Sequence, residues 1–287
     1  MRRGLAALAM AGAVAGVAAS VAGCGHPPTP RSPGLAIGES FTLASRALGE
    51  RRTINVFTPT VYGQAIAGPL PVLYMPDGGL DEDFLHVAGL VQVLVSNGTM
   101  RPFRLVGIPS TVRRRDLTPP SDQPDDRAIA PVVGGAAAYR RFVADELMPA
   151  IRARYPTADE AAIIGESLAG LFVLDTLATE PGLFTDYIAI DPSVWWADHA
   201  LVRGAPAWLA GATTHGARVF IATSNEPSMA ADVDALAAAV AAAGDGDLRL
   251  VRFADESHAT IYHPAALVAL RAVLAPPPAP IAPIAPR

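Results

Sequence analysis

The chain has 287 residues, 51% of them hydrophobic, with a formal charge of −5 and a mean hydropathy of +0.31. All 22 basic residues are arginine and Cys24 is the one cysteine. This excludes P-loop and Schiff-base lysine chemistry, an intramolecular disulfide and a cysteine-based zinc site, and the acidic balance argues against a nucleic-acid binder.

In chain order, Arg2 and Arg3 form a charged start, and Leu5 to Val21 is an alanine-rich apolar run. It ends in Val21-Ala-Gly-Cys24, small residues directly before a cysteine, a pattern that resembles the bacterial lipobox. The expectation is a removable leader over residues 1–23 and lipidation of Cys24, with membrane attachment through that lipid. Loss of Arg2 and Arg3 would take the charge to about −7 by simple counting. Residues 24–37 form a proline-rich tether, and residues 276–287 a proline-rich tail that can form neither helix nor sheet. Between them, residues 38–275 read as one domain.

Within that domain, apolar runs predict strands over Phe41–Ala47, Thr53–Phe57, Pro71–Met75, Phe103–Ile108, Ala161–Gly165, Asp186–Ile190, Arg218–Thr223 and Leu248–Phe253. Helical spacing predicts helices over Asp83–Asn97, Ala136–Arg154, Ser167–Glu180, Ser228–Ala243 and Pro264–Leu274. The first strands lack intervening helices and should be antiparallel, whereas the later ones should be parallel. The expected architecture is an α/β-hydrolase fold, a mostly parallel central sheet of about eight strands with helices on both faces.

The stretch from Ala161 to Gly170, with Gly165-Glu-Ser167-Leu-Ala-Gly170 at its heart, reads as strand, tight turn and helix with a serine at the apex. That is the layout of a nucleophile elbow, with Ala169 in place of the second glycine of G-x-S-x-G. A serine hydroxyl needs a base. Of six histidines, His258 and His263 follow the last strand, where the hydrolase order Ser, acid, His places its base, and His258 is preferred. The acid should orient that imidazole. Glu226, after the next-to-last strand, is the first choice; Asp191, one strand earlier, and Asp232, Asp234 and Asp255 stay open. The backbone N–H of Leu168 is one expected oxyanion donor, and the Pro76-Asp-Gly-Gly79 loop should supply the second.

With these residues in view, the chain resembles the Putative esterase family of bacterial α/β-hydrolases. That group includes siderophore trilactone esterases, S-formylglutathione hydrolases, feruloyl esterases and mycolyltransferases. The matching stretches are Pro71–Gly78, Val106–Pro119, Ile164–Leu174 and Tyr187–Trp196. The siderophore-esterase subset is the nearest in pattern. The resemblance implies Ser167 as nucleophile, His258 as base, Glu226 as acid, and Gly79 and Leu168 as oxyanion donors. Three positions depart from the family pattern: Glu166 stands for a histidine, Ala169 for a glycine and Asp191 for a serine. They keep Asp191 open as the acid, and a Ser–His dyad is the further alternative. Asp77, Arg113 and Trp195 are the expected substrate contacts. The run Arg113–Arg115 suggests an acidic or catecholate substrate, or alternatively an Arg115–Asp116 pair that holds the loop.

The functional expectation is therefore a serine carboxylic-ester hydrolase, exported and lipid-anchored, acting on a small-molecule ester without metal or cofactor. Acyl transfer to a sugar or lipid alcohol, and a non-catalytic hydrolase-fold binding lipoprotein, are the rival readings.

Overall fold

The computed structural model describes residues 35–243 and 247–277. The expected leader over residues 1–23 and Cys24 lie outside them. The strands are β1 (Glu39–Ser45), β2 (Glu50–Phe57), β3 (Thr60–Val61), β4 (Gln64–Ala65), β5 (Leu70–Pro76), β6 (Arg104–Ile108), β7 (Thr157–Glu166), β8 (Asp186–Ile190), β9 (Arg218–Thr223) and β10 (Leu248–Arg252). β3 and β4 form a separate small hairpin. The other eight form one sheet in the order β1-β2-β6-β5-β7-β8-β9-β10.

The pairings β1–β2 and β2–β6 are antiparallel, and every later pairing is parallel. The central strands β6 and β8 are buried at every position, as strands covered on both faces must be. Edge strand β1 instead alternates in exposure. Strand β5 does not sit beside β2: β6 inserts between them. Its parallel neighbours β6 and β7 both follow helical crossovers, which is how parallel strands are joined.

The helices are α1 (Phe84–Ser96), α2 (Arg113–Leu117), α3 (Pro124–Ile129), α4 (Ala136–Arg141), α5 (Met148–Arg154), α6 (Leu168–Thr179), α7 (Trp196–Arg203), α8 (Ala205–Thr214), α9 (Ala230–Ala242) and α10 (Tyr262–Val273). One core lies under α4, α5, α6 and α8, where Ile54, Tyr74, Ile163, Phe172 and Trp208 meet. The other lies under α1 and α10, around Leu73, Val87, Ile164, Phe220 and Leu270.

The predicted helix over 136–154 is interrupted by a π-helical stretch, Phe142–Leu147, between α4 and α5. Pro149, just beyond it, has no N–H to continue the ladder. The segment that forms α7 and α8 carries no predicted element. Ala197, Asp198 and His199 there have φ of 54°, 52° and 58°, a left-handed run that no periodicity of side chains signals.

On β2 of the main sheet, Arg52 is fully buried. Its guanidinium pairs with Asp116 and, at 2.9 Å, with Glu50. Arg115 joins the same two carboxylates, at 2.6 Å to Asp116 and 2.8 Å to Glu50. Deleting Asp116 would leave the buried Arg52 with Glu50 as its one carboxylate partner. Asp116→Ala is therefore expected to cost about 3–5 kcal/mol in stability, read from urea unfolding. A loss below about 1 kcal/mol would show that the network contributes no more than an exposed pair does.

Candidate active site

Strand β7 ends at Glu166, and the chain turns through Ser167 into α6. Ser167 has φ 60° and ψ −121°, a conformation that costs a non-glycine residue on the order of 1–3 kcal/mol. Its neighbours hold it there. The Ser167 N–H donates to Ile190 O at 3.0 Å, and Ser193 N–H donates to Ser167 O at 3.1 Å. The turn is tight enough that a Cβ on Gly165 would lie 2.6 Å from the Ala169 backbone. Glycine is thus required at 165 for sterics, while Ala169 fits where the family pattern has glycine.

Three side chains from three strand ends then meet. His258 lies in the turn between β10 and α10. Its Nε2 is 3.1 Å from Ser167 Oγ, and its Nδ1 is 2.7 Å from Asp191 Oδ2. Asp191 follows β8 with φ 42°. It also accepts from the Ser224 N–H and the Ser224 hydroxyl, each at 2.8 Å. Burial pushes Asp191 up, but the bond from His258 and those from Ser224 outweigh it and hold it below the ordinary carboxylate value. The hydrogen bond to Asp191 raises His258 above the ordinary imidazole value, against the effect of burial and helped by Glu166, Asp191 itself and Glu226. With an ionised Asp191 accepting from Nδ1–H, the Nε2 lone pair faces the Ser167 hydroxyl and can take its proton.

The expected acid is corrected. Glu226 does not reach His258 Nδ1: its Oε1 accepts from Ser228 N–H at 3.4 Å and from Ser228 Oγ at 3.1 Å. The reason is local. Ser224 is tied to Asp191 and Asn225 N–H to Glu256 O, so the chain has already turned when it reaches Glu226, which caps the 3₁₀ turn Pro227–Met229. Of the other open candidates, Asp232 pairs with His199 at 2.8 Å and Asp234 with Arg252 at 2.7 Å. His263 faces His86 at 3.0 Å.

Gly79 is corrected likewise. Its N–H donates to Glu82 Oε2 at 2.7 Å, so the structure does not hold it as a free oxyanion donor. Leu168 heads α6, where a first-turn N–H has no intrahelical partner. Asp77 and Arg113 serve one another: Arg113 Nε and a terminal nitrogen both reach Asp77 Oδ2 at 2.8 Å, and Ser110 Oγ donates to Oδ1. Arg115 is taken by Asp116 and Glu50. Two of the three arginines proposed from sequence as anion contacts are therefore already paired. Trp195 does line the cleft, a space of about 250 Å³ with Ser167, His258, Glu226, Ser228 and Met229 on its walls. A larger cavity of about 440 Å³, walled by Pro119, Leu171, Trp196 and Trp208, has none of the three reacting groups on its walls.

Sequence reasoning missed one contributor, Ser224, and marked another, Glu166, only as a departure from the family pattern. Ser224 fixes the acid, and its only signal is a hydroxyl at a strand end. Glu166 flanks the base: its Oε1 is 3.5 Å from His258 Nε2. Burial pushes Glu166 up to about 7, against the pull of His258 and Arg113.

Residues 45–246 match the family described as Putative esterase. The chain is 35% identical over 205 residues to the siderophore triacetylfusarinine C esterase of Aspergillus fumigatus, covering 64% of this chain and 65% of that protein. It is 33% identical over 168 residues to the ferri-bacillibactin esterase BesA of Bacillus subtilis, covering 51% of this chain and 56% of that one. The matches thus span under two thirds of these relatives' own length. Among solved structures, an IroE-like serine hydrolase from Shewanella oneidensis superposes with a TM-score of 0.71 at 26% identity, over 82% of this chain and 79% of that one.

Proposed function

The chain belongs to the Putative esterase family, and from that membership we propose that it is a serine carboxylic-ester hydrolase acting on a siderophore-type ester. One observation carries the reading: the line from Asp191 Oδ2 through His258 to Ser167 Oγ, with contacts of 2.7 and 3.1 Å. Ser167 attacks the ester carbonyl and His258 takes its proton. The proton then passes from Nε2 to the leaving alcohol. Leu168 N–H stabilises the oxyanion from the head of α6. The His258 side chain is 48% exposed, so water can reach the acyl-enzyme, which supports hydrolysis over transfer to another alcohol. The names of the Aspergillus and Bacillus relatives support a siderophore ester. The test is hydrolysis across chromogenic esters of graded acyl length together with a cyclic trilactone siderophore. Turnover of none of them would reject the reading.

The same reading places the protein outside the cytoplasm, lipid-anchored at Cys24 on a bacterial membrane. The charged start, the apolar run and the small residues before Cys24 support it. Among the described residues no helix is long and apolar enough to cross a membrane. A multiply acylated cysteine would hold firmly where one chain gives only marginal binding. Cys24→Ser is expected to move the protein from the membrane to the soluble fraction with specific activity unchanged. A wild-type protein found soluble after export would reject the anchor.

A further inference from the structure

Glu166 is a carboxylate in an unusual position. It sits immediately before the nucleophile, and its Oε1 lies 3.5 Å from the same His258 nitrogen that faces Ser167. Only 19% of its side chain is exposed. No N–H or O–H among the described residues donates a hydrogen bond to it. A half-buried carboxylate without donors lacks the solvation that water would give it. Nε2 is also the atom that returns a proton to the departing alcohol. A group beside Nε2 is therefore beside the alcohol half of a bound ester.

The surroundings oppose Glu166 with two cations, His258 and Arg113, and set more carboxylates than that around it. From the loop before α1, Asp77, Glu82 and Asp83 lie near this side of the site; from the start of α2 comes Arg113; from the end of β8, Asp191; from the start of α10, the half-buried Tyr262. Glu226 adds its charge near His258. Arg113 is the one cation among these besides His258, and both of its contacts go to Asp77. Glu82 receives only backbone N–H groups, from Gly79 and Ser110.

We propose that Glu166 is a specificity-determining residue that selects esters carrying a cationic group, such as a protonated or quaternary amine, on the alcohol side of the scissile bond, and that disfavours anionic ones. This deepens the hydrolase reading and rests on it for the reaction. An incoming cation adds to the partial neutralisation that His258 and Arg113 give Glu166, whereas an anion adds to an existing excess of carboxylate. The selection strengthens with pH. Glu166 gains its charge as pH rises through about 7, so the advantage of a cationic ester grows over the same interval.

The test uses three esters of one acyl group with nearly isosteric alcohols: choline, 3,3-dimethylbutanol and 4-hydroxy-2,2-dimethylbutanoate. The wild type is expected to show a cationic-to-neutral ratio of kcat/KM that rises between pH 6 and pH 8.5, roughly tenfold at its limit, the scale of one partly screened ion pair. In Glu166→Gln that ratio should lose its pH dependence, and the anionic ester should gain relative to the neutral one. Comparing ratios between the two proteins cancels the different reactivities of the three alcohols. A ratio that is flat with pH in the wild type, or equal in both proteins, would overturn the proposal. Calorimetric binding of the same esters to Ser167→Ala ranks them without turnover. No preference for the choline ester there also overturns charge selection. Absence of turnover in the wild type, with the binding order intact, counts against the hydrolase reading and leaves charge selection standing.

Discussion

Ser167→Ala is expected to lower ester turnover by on the order of 10⁶ while leaving the fold unchanged. In the proposed reaction Oγ forms the acyl bond, and among the described residues it is the hydroxyl that His258 Nε2 faces. Ser193 Oγ lies 3.4 Å from Ser167 Oγ and lines the same cleft, but it is buried, and Ser167 is the hydroxyl that His258 Nε2 faces. The substitution removes one weakly packed hydroxyl. Alanine keeps the left-handed backbone at the apex, so the strain at φ 60° stays and stability should change little. The expected readouts are loss of labelling by a fluorophosphonate probe, with an unchanged unfolding midpoint. Labelling that persists in the variant would transfer the nucleophile to another residue and with it the whole relay.

How much of this was legible beforehand differs from residue to residue. The elbow was, because its signals are local: an apolar strand, a glycine that must admit a helix backbone, and a serine at the turn. The sheet was too, since its buried strands are continuous apolar runs with helices between most of them. His258 could be placed from chain order alone. The acid could not. Both Asp191 and Glu226 follow strands whose ends lie at the same edge of the sheet, and sequence gives no distance between a strand end and a histidine two strands away. What decides it is Ser224, whose N–H and hydroxyl fix Asp191 under the imidazole while the chain beyond it turns Glu226 toward Ser228. The unusual aspartate before Pro192 was the one visible trace. Of the two readings of the arginine run, the structure shows the Arg115–Asp116 pair. The further partners Asp77 and Glu50, which pair with Arg113 and Arg115, lie far away in sequence and could not be read from the run. Glu166 carried no local signal beyond its departure from the family pattern, because its meaning depends on how close the turn between β10 and α10 brings His258.

Asp191→Asn is expected to lower kcat/KM by about 10⁴, the cost of losing the orienting carboxylate in a full triad, while Glu226→Gln lowers it by less than about tenfold, as for an outlying charge. The two substitutions each remove one negative charge near His258, so a purely electrostatic contribution would make them similar. They differ in contact. Asp191 Oδ2 accepts from Nδ1 at 2.7 Å, and its other oxygen is held by Ser224 N–H. In the asparagine variant Ser224 N–H still claims the amide oxygen, so the amide nitrogen turns toward the imidazole. Two donors cannot face each other. The imidazole then shifts its proton to Nε2, the nitrogen that must be bare to accept the serine proton. Glu226 contributes only through space, since its carboxylate is bonded to Ser228. Steady-state rates on one chromogenic ester decide between them. Equal small losses at both positions would leave a Ser–His dyad in which Asp191 merely packs, and a larger loss at Glu226 would return the acid to the strand end where the sequence pattern first pointed.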